Sequence, residues 1–256
     1  MRRKRRWSSL RRPNSSFIHA SITNPHFQRD LIAYLLLVLF TMVGVEYGNS
    51  LQEEFSNLRV WTYRNVGLLL FGIPFLAFQP WASIGQNWPS WNKKKVPQFF
   101  PLGIGLVFGL LDWIILERLL THQPPTALPP YTQPFPYSLF LYGSGAFEIE
   151  VFYRLIPLTI GGLLLLRYKK GAYIVPGFWV LATLTALREP LEQWPTGPNW
   201  LVIYSLTTGF AMNLLQAIAL QRIGFWGSLF IRLGHYLIWH IANGIVIELA
   251  LQANGN

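Results

Sequence analysis

The chain has 256 residues, of which 52% are hydrophobic and only 12% charged, and its mean hydropathy is +0.30. A soluble surface takes roughly a quarter of all residues as charged groups, so this composition excludes an ordinary soluble domain and implies a polytopic membrane protein. The net charge is +10 and there is no cysteine, which excludes disulfides, thiolate metal sites and a Cys nucleophile and leaves Glu, Asp, His, Ser and Arg to carry any chemistry.

The first thirteen residues read MRRKRRWSSLRRP, and no acid occurs before Asp30. A segment of this kind cannot bury enough apolar surface to fold. It reads as a disordered basic tail, residues 1–30, ahead of a membrane domain over 31–256. Three roles compete for it. A positive-inside anchor lying on the anionic cytoplasmic leaflet is favoured; an Arg- and Ser-rich transit peptide and nucleic-acid binding follow, and no nucleic-acid partner is expected.

A spanning helix needs about 20 mainly apolar residues. In chain order the candidates are Leu31 to Gly48, Val66 to Ile84, Phe100 to Leu116, Trp200 to Leu220 and Phe225 to Leu251. Between them, Tyr137 to Leu166 is too long for one straight span and carries Pro157, which predicts a kinked helix or two helices. Ala172 to Leu187 is shorter and contains Pro176. With the N-terminus inside and seven crossings, fifteen Lys and Arg residues fall in inside loops and four in outside loops, as the positive-inside rule requires. The fold expected is therefore an all-α bundle of about seven spans with one kinked helix. Pro-rich connectors follow at Thr121 to Pro136 and Arg188 to Asn199, the second carrying Glu189 and Glu192.

Ionisable groups inside a span are costly and imply function first. One mid-chain helix, SGAFEIEVFYRLIP, holds Glu148, Glu150 and Arg154. Glu150 and Arg154 are four apart, share a face and can pair. Glu148 lies about 200° around the helix from Glu150, so the two carboxylates do not converge. The last span holds Arg232, His235, His240 and Asn243. His240 and Asn243 share a face, whereas the two His residues are about 140° apart and should meet different neighbours. No H-x-x-x-H pair supports a two-His zinc site on this helix. Glu46, Asp112, Glu117 and Glu248 read as interface groups. The bland alternative for the whole set is a group of satisfied polar contacts between helices.

An acidic pair and an Arg on a mid-chain span, followed by His and Asn in a terminal span, resembles the CPBP family of membrane proteins. That family comprises type II CAAX prenyl endopeptidases and bacteriocin-processing or immunity-type proteins, and the resemblance covers roughly residues 137–244. In its E-E-x-x-x-R motif, Arg154 matches the Arg and Glu150 the second Glu, while Ile149 stands where the first Glu would be. Glu148 is one position away. The middle F-x-x-x-H motif has Phe178 but Ala182 four residues on; in the terminal H-x-x-x-N motif His240 is followed by Asn243 at three.

The resemblance implies a glutamate that activates water within the membrane, with His and Asn groups stabilising the oxyanion. The candidate catalytic residues are Glu148, Glu150, Arg154, His235, His240 and Asn243; cofactor and metal are left open. Two functions compete. One is an intramembrane endopeptidase acting on a membrane-associated peptide or prenylated C-terminus. The other is a non-catalytic binding or chaperone-like relative in which Glu150 and Arg154 are structural. A proton pathway and a rhomboid-like Ser144, which lacks the first glycine of G-x-S-G, rank lower. The expected setting is a bacterial, including cyanobacterial, plasma or thylakoid membrane with the N-terminus in the cytoplasm.

Overall fold

A computed structural model describes residues 25–55, 58–77, 99–120 and 127–254. Most of the basic tail and Lys93 to Lys95 lie outside them. The described residues form seven helices. They are α1 Pro25–Leu51, α2 Tyr63–Ala77, α3 Phe100–Asp112 continued by a π-helical turn Trp113–Leu120, α4 Tyr137–Arg167, α5 Ile174–Glu192, α6 Asn199–Arg222 and α7 Phe225–Ala253. Five of these, α1, α3, α4, α6 and α7, are long and apolar enough to cross a membrane. Their outward faces carry exposed Ile32, Leu36, Leu39, Leu164, Ile203 and Leu249, side chains that only a hydrocarbon solvent accommodates in such number.

The helix boundaries follow from local chemistry. Pro101 and Pro176 sit in the first turns of α3 and α5, where a missing backbone N–H leaves no helical bond unmade. Gly224 separates α6 from α7 at φ 103°, a conformation open to glycine because it has no Cβ. The stretch expected to kink or split is one 31-residue helix, α4. Its irregularity is a π turn at Val151–Leu155, ending two residues before Pro157, within the turn that a proline ring disrupts. One correction concerns Arg188 to Asn199: α5 runs on to Glu192, so Glu189 is a buried helical residue rather than part of a connector.

The core is apolar and aromatic. Tyr34, Leu69, Phe147, Val151, Phe178 and Phe225 are all buried in one cluster. Tyr34 and Phe147 meet edge to face at 4.7 Å, and the Tyr34 hydroxyl donates to the Leu69 carbonyl at 2.5 Å, so even this buried phenol is satisfied. Helix α7 is the hub, packing on α3, α4 and α6, while α5 packs on α6 and on the second half of α4. At the exposed end of α5, beyond its apolar stretch, Tyr153 and Arg188 both donate to Glu192. Those bonds hold the Glu192 carboxyl below the usual carboxylate range.

Candidate functional site

Four charged side chains from three helices meet in the interior. Glu150 and Arg154 come from α4, Glu189 from α5 and Arg232 from α7; the first two have no exposed surface at all. Two carboxylates and two guanidinium groups give formal neutrality, the condition under which buried charge is tolerable. Arg232 holds Glu189 in a two-pronged grip, Nη1 to Oε1 at 2.7 Å and Nη2 to Oε2 at 2.5 Å, the fork geometry that guanidinium matches to carboxylate. Arg154 Nη1 lies 3.6 Å from Glu150 Oε1 and its Nη2 lies 3.8 Å from Glu189 Oε2.

Neutral side chains knit the charges together. The Asn213 amide oxygen accepts from Arg154 and, at 2.8 Å, from Arg232, while its NH₂ donates to the Ala186 carbonyl at 3.2 Å. Gln216 donates to Glu150 at 2.6 Å and accepts from Arg232 at 3.1 Å. The Ser228 hydroxyl donates to the other Glu150 oxygen at 2.5 Å. Both oxygens of Glu150 are thus occupied.

Beside this network lies a cavity of about 660 Å³. Its wall includes Glu148, Asp112, His235, His240 and Arg59, and it reaches the network at Glu189 and Arg232. Glu148 is half-buried, on the opposite side of α4 from Glu150. His240 lies in the π turn Leu237–Ala242, and His235 lies just before it in regular helix. The ring centroids of His235 and His240 are 6.3 Å apart and the rings nearly perpendicular; both line the cavity, but each bonds to a different neighbour.

Each imidazole is held. His240 Nδ1 lies 2.6 Å from the Tyr131 carbonyl oxygen; a carbonyl only accepts, so Nδ1 carries the proton. Its ring stacks on Tyr142 at 4.2 Å, 5° from parallel. The Tyr142 hydroxyl donates to that same carbonyl at 2.8 Å and accepts from Arg59 at 2.8 Å. His235 Nε2 lies 2.7 Å from Asp112 Oδ2. The Tyr204 hydroxyl donates to Asp112 Oδ1 at 2.7 Å.

Asn243 is placed elsewhere. It is buried, accepts from Trp113 at 3.1 Å and donates to Glu117 at 3.0 Å, tying α7 to the π turn of α3. Tyr131 donates to that same Glu117 oxygen at 2.5 Å. Burial and this bond push the Tyr131 phenol above its ordinary range.

The six residues singled out from sequence therefore divide into three groups. Glu150 and Arg154 belong to the charge network; Glu148, His235 and His240 line the cavity; Asn243 braces two helices away from it. Sequence reasoning missed Asp112, Glu189, Asn213, Gln216, Ser228 and Tyr204. One signal for Glu189 was available. Two intramembrane arginines, Arg154 and Arg232, need two acids, and Glu150 supplies only one. No comparable signal marks the neutral residues, whose roles depend on which helices adjoin. Among the described residues no group of three or more His, Asp or Glu is arranged to hold a metal ion. Compared with protein-family models, curated proteins and solved structures, the chain matches none.

Proposed function

We propose that this membrane protein is an intramembrane hydrolase of the endopeptidase type, working from its cavity rather than from Glu150 and Arg154. The observation that carries the reading is the sharing of one cavity by Glu148, His235 and His240. Hydrolysis inside a bilayer needs water, and a cavity with charged and polar side chains in its wall is a means of admitting it to a region otherwise closed to polar groups. Glu148 is the carboxylate open to that water, as a general base must be. His240, with Nδ1–H committed to Tyr131, offers Nε2 for proton exchange. Stabilisation of a developing oxyanion falls to the Arg59 guanidinium on the cavity wall, because Asn243 is engaged with Trp113 and Glu117. The substrate is a membrane-associated peptide, with lipid-modified C-termini as one class.

On this reading the N-terminus is cytoplasmic, and Arg2 to Arg12 lie on an anionic leaflet. The setting is a bacterial plasma or thylakoid membrane.

A second reading, a non-catalytic binding protein of similar architecture, is favoured by Glu150 and Arg154. A pair with no exposed surface and both carboxylate oxygens occupied has the character of scaffold. One experiment separates the two. Full-length protein in detergent is assayed for cleavage of a panel of lipidated and unmodified hydrophobic peptides, as wild type, Glu148→Gln and His240→Ala. The hydrolase reading expects Glu148→Gln to lower turnover by about 10²–10⁴-fold, the usual contribution of general-base catalysis, without loss of thermal stability. Absence of cleavage by wild type, with peptide binding retained, leaves the binding reading standing.

A further inference from the structure

The contact between Asp112 and His235 joins residues 123 positions apart in sequence, and it is built by helix packing. At Gly109 on α3, a Cβ would lie 2.8 Å from the His235 carbonyl oxygen. At Gly234 on α7, it would lie 2.9 Å from the Leu106 amide nitrogen. Small residues that let two backbones touch thus bring Asp112, less than one turn beyond Gly109, alongside the His235 ring. The Asp112 carboxylate is fixed from two sides, by His235 Nε2 and by the Tyr204 hydroxyl, each at 2.7 Å. Among the described residues, His235 is the one side chain at ion-pair distance from Asp112 that can become cationic.

A carboxylate only accepts hydrogen bonds, so His235 presents Nε2–H to Asp112. The other ring nitrogen, Nδ1, is buried without a hydrogen-bond partner, although the His235 ring belongs to the cavity wall. A buried polar atom left unpaired in a native fold calls for a reason, and a chemical role is one of the recognised ones. The His235 ring neighbours Tyr236 and His240 on its own helix and Asp112 on α3, whose other oxygen accepts from Tyr204 of α6; Arg232 and Glu148 of α4 line the same cavity.

We propose that Asp112 is a positioning residue that holds His235 as the Nε2–H tautomer, leaving Nδ1 as the unprotonated acceptor of a ring that borders the cavity. In taking up one proton there, His235 becomes an imidazolium that keeps its Nε2–H on Asp112, so the positive charge forms beside a fixed carboxylate. The same division of labour between carboxylate and imidazole recurs in nucleophilic hydrolases of unrelated folds. The part this dyad plays in catalysis rests on the hydrolase reading above; its tautomer does not.

The test is ¹⁵N NMR of full-length protein labelled at its five histidines, in detergent without substrate, with His235→Ala identifying the signal. Wild type is expected to give a protonated Nε2 and a bare Nδ1 at His235. In Asp112→Asn the Tyr204 hydroxyl claims the amide oxygen and turns the NH₂ towards Nε2. The tautomer ratio then falls at least about tenfold, equivalent to about 1.4 kcal/mol. Tyr204→Phe leaves the carboxylate in place and keeps Nε2–H, which guards against reading a folding defect as a tautomer effect. A wild-type His235 protonated on Nδ1, or a ratio unmoved by Asp112→Asn in folded protein, overturns the proposal. Because no substrate is present, that failure is distinct from failure to cleave peptides. If the tautomer is as stated, Asp112→Asn lowers turnover and changes its pH profile; an unchanged profile in an active enzyme also overturns the positioning role.

Discussion

Arg232 illustrates how much a single side chain can hold. Its guanidinium satisfies Glu189 twice and also reaches Asn213 and Gln216. Replacing it with Met leaves Glu189 buried beside Arg154 alone, at 3.8 Å. Removing one partner of a buried pair costs about 3–5 kcal/mol, because the remaining charge is uncompensated. Arg232→Met is therefore expected to lose stability of that order, read by thermal or denaturant unfolding in detergent. The double variant Glu189→Leu/Arg232→Met should be less destabilised than the single one, since replacing a whole buried pair by apolar groups can be close to neutral. Equal losses in the two would show that Glu189 is not the group the arginine neutralises. Glu150 and Arg154 were legible as a pair because a spacing of four on one helix is a local rule. The Arg232–Glu189 pair spans 43 positions and obeys no such rule.

At the scale of the helix, two devices shape the site. One is the π turn, present in α3, α4 and α7. Those in α4 and α7 carry Arg154 and His240, and the turn in α3 carries Trp113 and Glu117. Turns of this kind are frequent at functional positions. Hydrophobic periodicity assumes 3.6 residues per turn and so carries no signal of these turns. The other device is glycine contact between α3 and α7. A Cβ at Gly105 would collide with the Ile231 carbonyl and lie 2.9 Å from the His235 amide nitrogen. Backbone cannot yield as a side-chain tip can. Gly105→Leu is expected to cost about 1–3 kcal/mol, the range for overpacking, and to pull Asp112 from His235. Gly103→Leu is the control, since a Cβ there meets nothing within 4 Å. Comparing the two by unfolding midpoint, and by the His235 NMR signal, checks this; equal effects would refute it.

The absence of cysteine makes the orientation of the whole molecule directly measurable, because any single engineered cysteine reports alone. With seven crossings, the positive-inside rule predicts the Arg167 to Lys170 turn in the cytoplasm and the Gln193 to Pro198 connector outside. In intact cells an impermeant maleimide should label Gln193→Cys, while Lys169→Cys labels only after the membrane is opened. The reverse pattern would invert the topology. Gln193 and Pro195 also border the cavity, so the label at Gln193→Cys reports the side of the membrane on which that part of the cavity lies.

Membership of the membrane class, the helical content and five of the seven expected spans were determined by the sequence alone, because each depends on composition or on apolar runs that a bilayer reads locally. So was the Glu150–Arg154 pair. The tertiary structure alone decided that this pair is sealed from the cavity while Glu148 is open to it, and that Glu189 is helical and neutralises Arg232. It also decided that Asp112 and Tyr204 share a carboxylate contact beside His235. The physical reason is that charges in a low-dielectric interior must find partners wherever the packing of helices brings them. That packing is set by glycine contacts and π turns, whose geometric consequences reach across the chain rather than along it.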